Sequence, residues 1–179
     1  MSNAETTSLL LLITGEAAAP AAAVAGSFID MFGAQLEGGP DVLRPYDLRH
    51  HQADDALLDL EPYAGISVTG SAAMLDEGAP WMRYSVRVIQ SALEQERPFL
   101  GVCFGHQLLG LAAGGAVGPN PNGREMGTVE VEKTASGRSD ALFAPFRDPF
   151  YAQVSHRDVI TALGPELEVV ATAPHDPHH

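Results

Sequence analysis

The feature that most constrains the fold of this chain is a short stretch, Phe99 to Gln107, that holds the only cysteine among 179 residues. An apolar run ends just before Cys103, and a run with helical character follows it. Gly101 and Gly105 flank the cysteine two positions away on either side. A residue at the tip of a sharp strand-to-helix turn has a strained backbone, and bulky neighbours on both sides would clash. The stretch therefore predicts a strand, a tight turn and a helix, with the sulfur at the bend.

This position has a chemical consequence for Cys103. The amino end of a helix directs unpaired N–H groups and a positive dipole end at whatever precedes it, which favours a thiolate. A lone cysteine is more commonly a small buried hydrophobic residue. Here the flanking glycines and the change from strand to helix favour a reactive cysteine instead of a buried hydrophobic one. We therefore expect an exposed, ionised nucleophile.

Apolar runs and helical patterns alternate through the first two thirds of the chain. The predicted strands are 8–14, one within 41–47, 66–69 and 99–102, and the predicted helices are 18–32, 80–96 and 107–113. Such alternation predicts an α/β fold of flavodoxin-like type, an open and mostly parallel sheet with helices on both faces. In the last third, the alternation over 128–133 predicts an antiparallel strand, and 151–155 and 168–172 suggest two more. We find no repeat and no linker, so residues 1–179 are predicted to form one domain.

The ends of the predicted strands suggest where a ligand binds. Thr14, Gly70, Ser71 and Cys103 all follow the carboxyl end of a strand. In open α/β sheets, ligands bind at this edge. These residues are therefore expected to meet at one place.

Composition excludes several classes of function. Ten basic against 23 acidic residues give a net charge of −13, which disfavours binding to nucleic acid. A single cysteine excludes an internal disulfide and a cysteine-rich zinc site, and it favours a cytoplasmic location. Residues 1–4 lack the positive charge of a signal peptide and resemble an expression tag, and the apolar run 9–13 is too short to cross a bilayer. The Gly-rich and Walker phosphate-binding patterns do not occur, so no cofactor is predicted.

Four ordered motifs carry a resemblance to a known family. The sequence Gly-Val-Cys-Phe-Gly-His-Gln at 101–107 resembles the glutaminase motif of the class I, triad-type glutamine amidotransferases. The segments 68–71, 123–128 and 154–158 resemble, in order, that family's oxyanion loop, the segment after its nucleophile helix and its Ser-His pocket segment. The likeness spans roughly residues 9 to 173 and is strongest to the glutaminase domain of GMP synthase and its stand-alone relatives.

The resemblance implies roles for particular residues. Cys103 would be the nucleophile, and the backbone N–H groups of Gly70 and Phe104 would form the oxyanion hole. The implied glutamine-binding residues are Ser71, Gln107, Ser155 and His156. Ammonia would pass to a synthase partner or to a small-molecule acceptor.

The sequence also departs from the family. The catalytic histidine and glutamate of the family lie in a His-Pro-Glu motif, which does not occur in residues 1–179. We therefore expect that the C-terminal part of the family domain is missing from this chain, that the chain could be inactive, and that an uncovered sheet edge would favour a homo-oligomer. His156 is a weak candidate for the base. The histidines near the C-terminus are expected in a mobile end, and no metal site is predicted from them.

Other pairs and functions stay open. Arg124 and Glu125 are equally well explained as an ion pair or as ligand contacts. Asp158 is explained either as a residue that orients His156 or as one that faces solvent, and we expect the second. A γ-glutamyl hydrolase or related cysteine peptidase would use the same turn around its nucleophile. A non-catalytic binding or regulatory domain is the third alternative, since two triad members do not occur in the sequence.

Overall fold

The computed structural model describes residues 8–179, so the suggested tag at residues 1–4 lies outside the described part. Two compact units form, Met1–Ala112 and Ala113–His179. The single-domain assignment stays a prediction. Within residues 8–179, no helix is both long enough and apolar enough to cross a membrane.

The first unit is built on a parallel four-stranded sheet. Its strands are β1 (Leu9–Ile13), β2 (Leu43–Asp47), β3 (Gly65–Val68) and β4 (Phe99–Gly101), in the order β2-β1-β3-β4. The register aligns Leu12 with Val68 and Val68 with Gly101. The carboxyl ends of β1, β3 and β4 consequently finish in one row. The predicted α/β class with a mostly parallel sheet is confirmed.

Four helices belong to this unit. They are α1 (Ala19–Ala25), α2 (Phe28–Gly33), α3 (Pro80–Glu94) and α4 (Phe104–Ala112), with short 3-10 turns at Gly39–Val42, Leu48–His50 and Leu75–Glu77. The prediction of one helix over 18–32 is wrong. Gly26 adopts a positive φ of 77° and ends α1, and Ser27 then caps α2 in a reciprocal hydrogen-bonding pair with Asp30.

The core of the first unit lies between the sheet and the long helices. Leu10, Leu12 and Val68 from the sheet are at most 1% exposed. From the helices, Val88 and Leu108 pack into the same cluster. Burying a side chain of this kind is worth roughly 1.5–3 kcal/mol, so this cluster fixes α3 and α4 relative to the strands.

The second unit is mostly antiparallel. Its elements are β5 (Ala116–Pro119), β6 (Glu125–Lys133), α5 (Ala135–Ser139), β7 (Phe150–His156), β8 (Asp158–Ala162) and β9 (Ala171–Thr172). One sheet pairs β5 with β8, and another has the order β7-β6-β9. The predicted alternation along β6 is confirmed, since Val131 is buried while Glu130 and Glu132 are exposed. The strands β5 and β8 were not predicted.

Candidate active site around Cys103

Cys103 lies between β4 and α4 in a backbone conformation that side chains rarely adopt. Its φ is 53°, and within the described chain only Glu96 shares a positive φ among the residues other than glycine. This left-handed conformation costs a residue with a side chain roughly 1–2 kcal/mol. The strained strand-to-helix turn predicted from the sequence is therefore present, and Cys103 is exposed at its tip.

The two flanking glycines are required by space. A Cβ atom at Gly101 would lie 2.5 Å from the carbonyl oxygen of Gly105 and 2.8 Å from the amide nitrogen of His106. A Cβ atom at Gly105 would lie 2.7 Å from the backbone oxygen of Val68. Atoms at these separations overlap, so no side chain fits at either position without moving the backbone. The first turn of α4 is held between β4 on one side and β3 on the other.

The ionisation of the Cys103 thiol differs from the prediction. The N–H of Phe104 contacts the sulfur and favours the thiolate, as expected for the amino end of α4. Burial by neighbouring atoms acts in the opposite direction and is the larger effect, so the pKa of the Cys103 thiol lies above its ordinary value. The residue is exposed overall, but enough water is removed from around the sulfur to favour the neutral thiol. The direction of this pKa shift is opposite to the one expected from the helix dipole.

The loop after β3 lies directly against the cysteine. The position that a Cβ atom of Gly70 would occupy is 3.6 Å from Cys103 Cβ, so the backbone of Gly70 lies close to Cys103. The hydroxyl of the neighbouring Ser71 accepts a hydrogen bond of 3.1 Å from the N–H of Ala73. This bond shapes the loop that follows β3.

The loops after β1 and β3 are joined by two buried threonines. The Thr14 hydroxyl donates to the backbone oxygen of Thr69 at 2.8 Å, and the Thr69 hydroxyl accepts from the Thr14 N–H at 3.1 Å. A Cβ atom at Gly15 would lie 2.8 Å from Ser71 Cα, so the two loops touch backbone to backbone. The expectation that these strand ends meet is confirmed.

Gln107 and His106 occupy the first turn of α4. Gln107 is 8% exposed, and its N–H donates to the backbone oxygen of Cys103 at 3.1 Å. His106 is half-buried.

Two aromatic residues near the turn were not singled out from the sequence. Phe28, from α2, has its ring edge 4.0 Å from the position of a Gly70 Cβ atom. The ring of Trp81, on α3, packs against Phe104 with 5.8 Å between ring centroids. Neither contact can be predicted from the local sequence, because each depends on how distant segments fold together.

The predicted pocket residues Ser155 and His156 belong to the second unit. Ser155 is exposed at the end of β7. His156 Nε2 lies 2.8 Å from Glu125 Oε2, and its Nδ1 lies 3.2 Å from the backbone oxygen of Asp158. The ion pair considered between Arg124 and Glu125 is replaced by this contact. Asp158 was expected to face solvent but is 5% exposed.

The end of the chain packs against the second unit, contrary to the expected mobile end. The backbone oxygen of His175 accepts hydrogen bonds from the side chains of Asn120 and Asn122. His178 Nδ1 lies 2.6 Å from the backbone oxygen of Ile160, and His179 Nε2 lies 3.1 Å from Glu125 Oε2.

Comparisons with known proteins agree with this architecture. The family model "Glutamine amidotransferase class-I" matches residues 43–179. A GMP synthase [glutamine-hydrolyzing] of Thermomicrobium roseum is 35% identical over 136 residues, which are 76% of this chain and 23% of that protein. The gamma-glutamyl peptidase 4 of Arabidopsis thaliana is 33% identical over 79 residues, which are 43% of this chain and 32% of that protein.

A solved structure shows the same fold. A glutamine amidotransferase of Thermotoga maritima superposes with a TM-score of 0.73 at 23% identity, covering 96% of this chain and 70% of that one. The chain spans only about a quarter of the GMP synthase that it matches. The family model nevertheless matches well over half of the chain. This chain therefore belongs to the class I glutamine amidotransferase family.

Proposed function

We propose that this chain is a glutaminase of the amidotransferase type, in which Cys103 attacks the side-chain amide of glutamine. The observation that carries the proposal is the left-handed Cys103 at the start of α4, with Gly70 against it. A primary amide is a poor electrophile, so its cleavage needs a strong nucleophile and preorganised donors for the developing oxyanion. The geometry of this turn supports the second requirement, since Gly70 and the N–H of Phe104 lie next to Cys103.

The reaction would proceed through a thioester. Cys103 Sγ attacks the amide carbon, and the carbonyl oxygen becomes an oxyanion that accepts hydrogen bonds from the N–H groups of Phe104 and Gly70. Collapse of this intermediate breaks the C–N bond, and the amide nitrogen leaves as ammonia after taking up the proton that the Cys103 thiol gave to the base. Water then attacks the γ-glutamyl thioester and releases glutamate and the thiol. Loss of one oxyanion donor typically costs about 3–4 kcal/mol.

Four residues are proposed to bind glutamine, as the resemblance to the family implies. We assign Gln107 and Ser71 to contacts close to the reacting amide. The segment of Ser155 and His156 would hold the α-amino and α-carboxyl groups of glutamine through its backbone.

The proton acceptor is not assigned to any residue of this chain. The raised pKa of the Cys103 thiol means that a base has to remove its proton before attack. In the family this base belongs to the His-Pro-Glu motif, which does not occur in the sequence.

We propose that the acceptor of ammonia is supplied by a synthase partner, since a relative of this chain is a GMP synthase. The single cysteine favours a reducing, cytoplasmic setting for this reaction.

The test is covalent labelling by an electrophilic glutamine analogue. Because Cys103 is the only cysteine, the intact mass of the chain reports its modification directly. We expect saturable labelling, protection by free glutamine and complete loss in Cys103→Ala. Iodoacetamide, which lacks the glutamine part, gives the intrinsic reactivity of the thiol.

A pair of variants separates substrate recognition from thiol reactivity. Gln107→Ala is expected to slow labelling by the glutamine analogue at least tenfold while leaving the iodoacetamide rate unchanged. Gln95→Ala, in which the replaced side chain hydrogen-bonds only Ser91 on the surface of the first unit, is the matched control. Labelling by the analogue that is no faster than by iodoacetamide and that glutamine does not slow would refute the proposal.

A second candidate function is hydrolysis of γ-glutamyl peptides. The match to a gamma-glutamyl peptidase includes 43% of this chain and favours keeping this alternative. The two functions use the same nucleophile and differ in the preferred leaving group. Protection of Cys103 by a γ-glutamyl dipeptide at lower concentration than by glutamine would favour the peptidase.

A further inference from the structure

A cluster of metal-ligating side chains lies in the second unit. It consists of Glu125, His156 and His179, whose ligand atoms all lie within 4.8 Å of one another. We propose that these three residues bind a divalent transition metal ion, for which Zn²⁺ is the best fit. The proposal concerns side chains only, whereas the proposed role of the His156 segment in glutamine binding uses its backbone.

The first two ligands are fixed by strand pairing. Glu125 opens β6 and His156 closes β7, and the two residues stand opposite each other in the antiparallel register. Side chains at such positions start from Cβ atoms about 5 Å apart and project to the same face. Their side chains are 7% and 12% exposed, so most of the surrounding water is removed. The strand pair therefore holds a carboxylate and an imidazole together before any ion arrives.

The third ligand comes from a separate segment that is also held in place. His179 Nε2 lies 3.1 Å from the same oxygen, Glu125 Oε2, and the side chain of His179 is 15% exposed. Its neighbour His178 donates its backbone N–H to Asp176 Oδ1 at 2.9 Å. Asp176 is 4% exposed, and its backbone oxygen accepts from the N–H of Ala173. These contacts bring His179 to the cluster in a defined position.

The contacts of His156 favour a cation at this point. The backbone oxygen of Asp158 only accepts hydrogen bonds, so the ring proton of His156 lies on Nδ1, 3.2 Å away. The other ring nitrogen, Nε2, faces the Glu125 carboxylate, 2.8 Å from Oε2. A metal ion at this point would take both atoms as ligands. A backbone carbonyl on the remote nitrogen is also the usual way in which a metal-binding histidine is oriented.

The ligand set indicates which ion fits. Two imidazoles and one carboxylate are typical of zinc, with a fourth position left for water or another ligand. At Zn–N and Zn–O distances of about 2.0–2.1 Å, tetrahedral ligands lie roughly 3.3 Å apart. The two separations from Glu125 Oε2, 2.8 and 3.1 Å, are close to this value, and all three ligand atoms lie within 4.8 Å of one another. The acidic net charge of −13 also attracts cations in general.

The test is a calorimetric titration of the tag-free chain with Zn²⁺. A Cys103→Ser background removes the one thiol that could bind zinc by itself. We expect one equivalent to bind, with Glu125→Gln and His179→Ala each weakening the affinity at least tenfold, since losing even an outer partner of a metal ligand costs 10- to 100-fold. Co²⁺ in place of Zn²⁺ should give the visible absorption of a low-symmetry site in the parent and lose it in both variants.

The matched control is His175→Ala, which removes a histidine of the same C-terminal segment whose Nε2 contacts Gly123 and not the cluster. Its affinity for Zn²⁺ should equal that of the parent. Affinity that survives Glu125→Gln and His179→Ala, or that falls equally in His175→Ala, would mean a loose chelate by terminal histidines and would overturn the proposal. Absence of Zn²⁺ binding to the parent would overturn it as well. Circular dichroism checks the fold, and His179→Ala carries the test alone if Glu125→Gln does not fold.

Discussion

Replacing Gly101 by alanine should damage both the stability of the first unit and the geometry around Cys103. The new Cβ atom would lie 2.5 Å from the Gly105 oxygen, and ordinary contact begins at 3.4 Å, so the first turn of α4 has to move by about 0.9 Å. It cannot move toward β3, because Gly105 already lies against Val68 there. Overpacking of this kind costs up to about 3 kcal/mol. The same shift changes the positions of Phe104 and Cys103 relative to Gly70.

Two measurements on this variant report the two effects. Trp81 is the only tryptophan, and its ring packs on Phe104, so its fluorescence in urea follows unfolding close to the turn. We expect the free energy of unfolding to fall by about 3 kcal/mol. Labelling by the glutamine analogue should slow by about 100-fold, the cost of misplacing reacting groups by roughly 1 Å.

A matched glycine provides the control for this experiment. A Cβ atom at Gly118 meets nothing closer than 3.7 Å, so Gly118→Ala should leave both measurements unchanged. If Gly101→Ala unfolds within about 0.5 kcal/mol of the parent and is labelled at the same rate, the spatial argument for the turn is refuted.

Two further predictions concern Cys103 itself. Cys103→Gly should be about 1 kcal/mol more stable than Cys103→Ala in urea denaturation. The reason is that only glycine adopts a φ of 53° without a steric cost. Equal stability of the two variants would show that the turn is unstrained. Because burial raises the pKa of the thiol, the thiolate fraction at any given pH is below that of an ordinary cysteine. The rate of iodoacetamide alkylation should therefore reach half its maximum at a higher pH in the folded chain than in the same chain unfolded in urea. A lower midpoint in the folded chain would contradict the balance between burial and the Phe104 N–H.

Much of the first unit could be predicted because its signals are local. An apolar run followed by glycine predicts β1 and β3, and the spacing around Cys103 predicts the turn without any knowledge of distant contacts. The division of the helix over 18–32 was missed because a single glycine, Gly26, stands in an alanine-rich run that otherwise favours helix. The glycine alone does not reveal the break, because α2 begins with the cap formed by the next residue, Ser27.

The features that were missed depend on contacts between distant segments. The strand β5 pairs with β8, with Ala116 opposite Ala162. Neither segment shows a strong alternation of apolar and polar residues by itself. The cluster of Glu125 and His156 requires the register of β6 and β7, which sequence spacing does not give. The pKa of Cys103 was predicted in the wrong direction because the helix dipole is a local effect, whereas burial arises from tertiary packing.

Because Gly15 lies against Ser71, the backbone at position 15 determines part of the geometry around Cys103 without any side chain. No functional group at position 15 takes part in the chemistry, yet even one added methyl would push the loop after β3 off its place, since it would overlap Ser71 Cα at 2.8 Å. The loop so displaced carries Gly70, which stands beside the sulfur. A residue 88 positions before the nucleophile thus has as strict a size limit as the nucleophile's own neighbours.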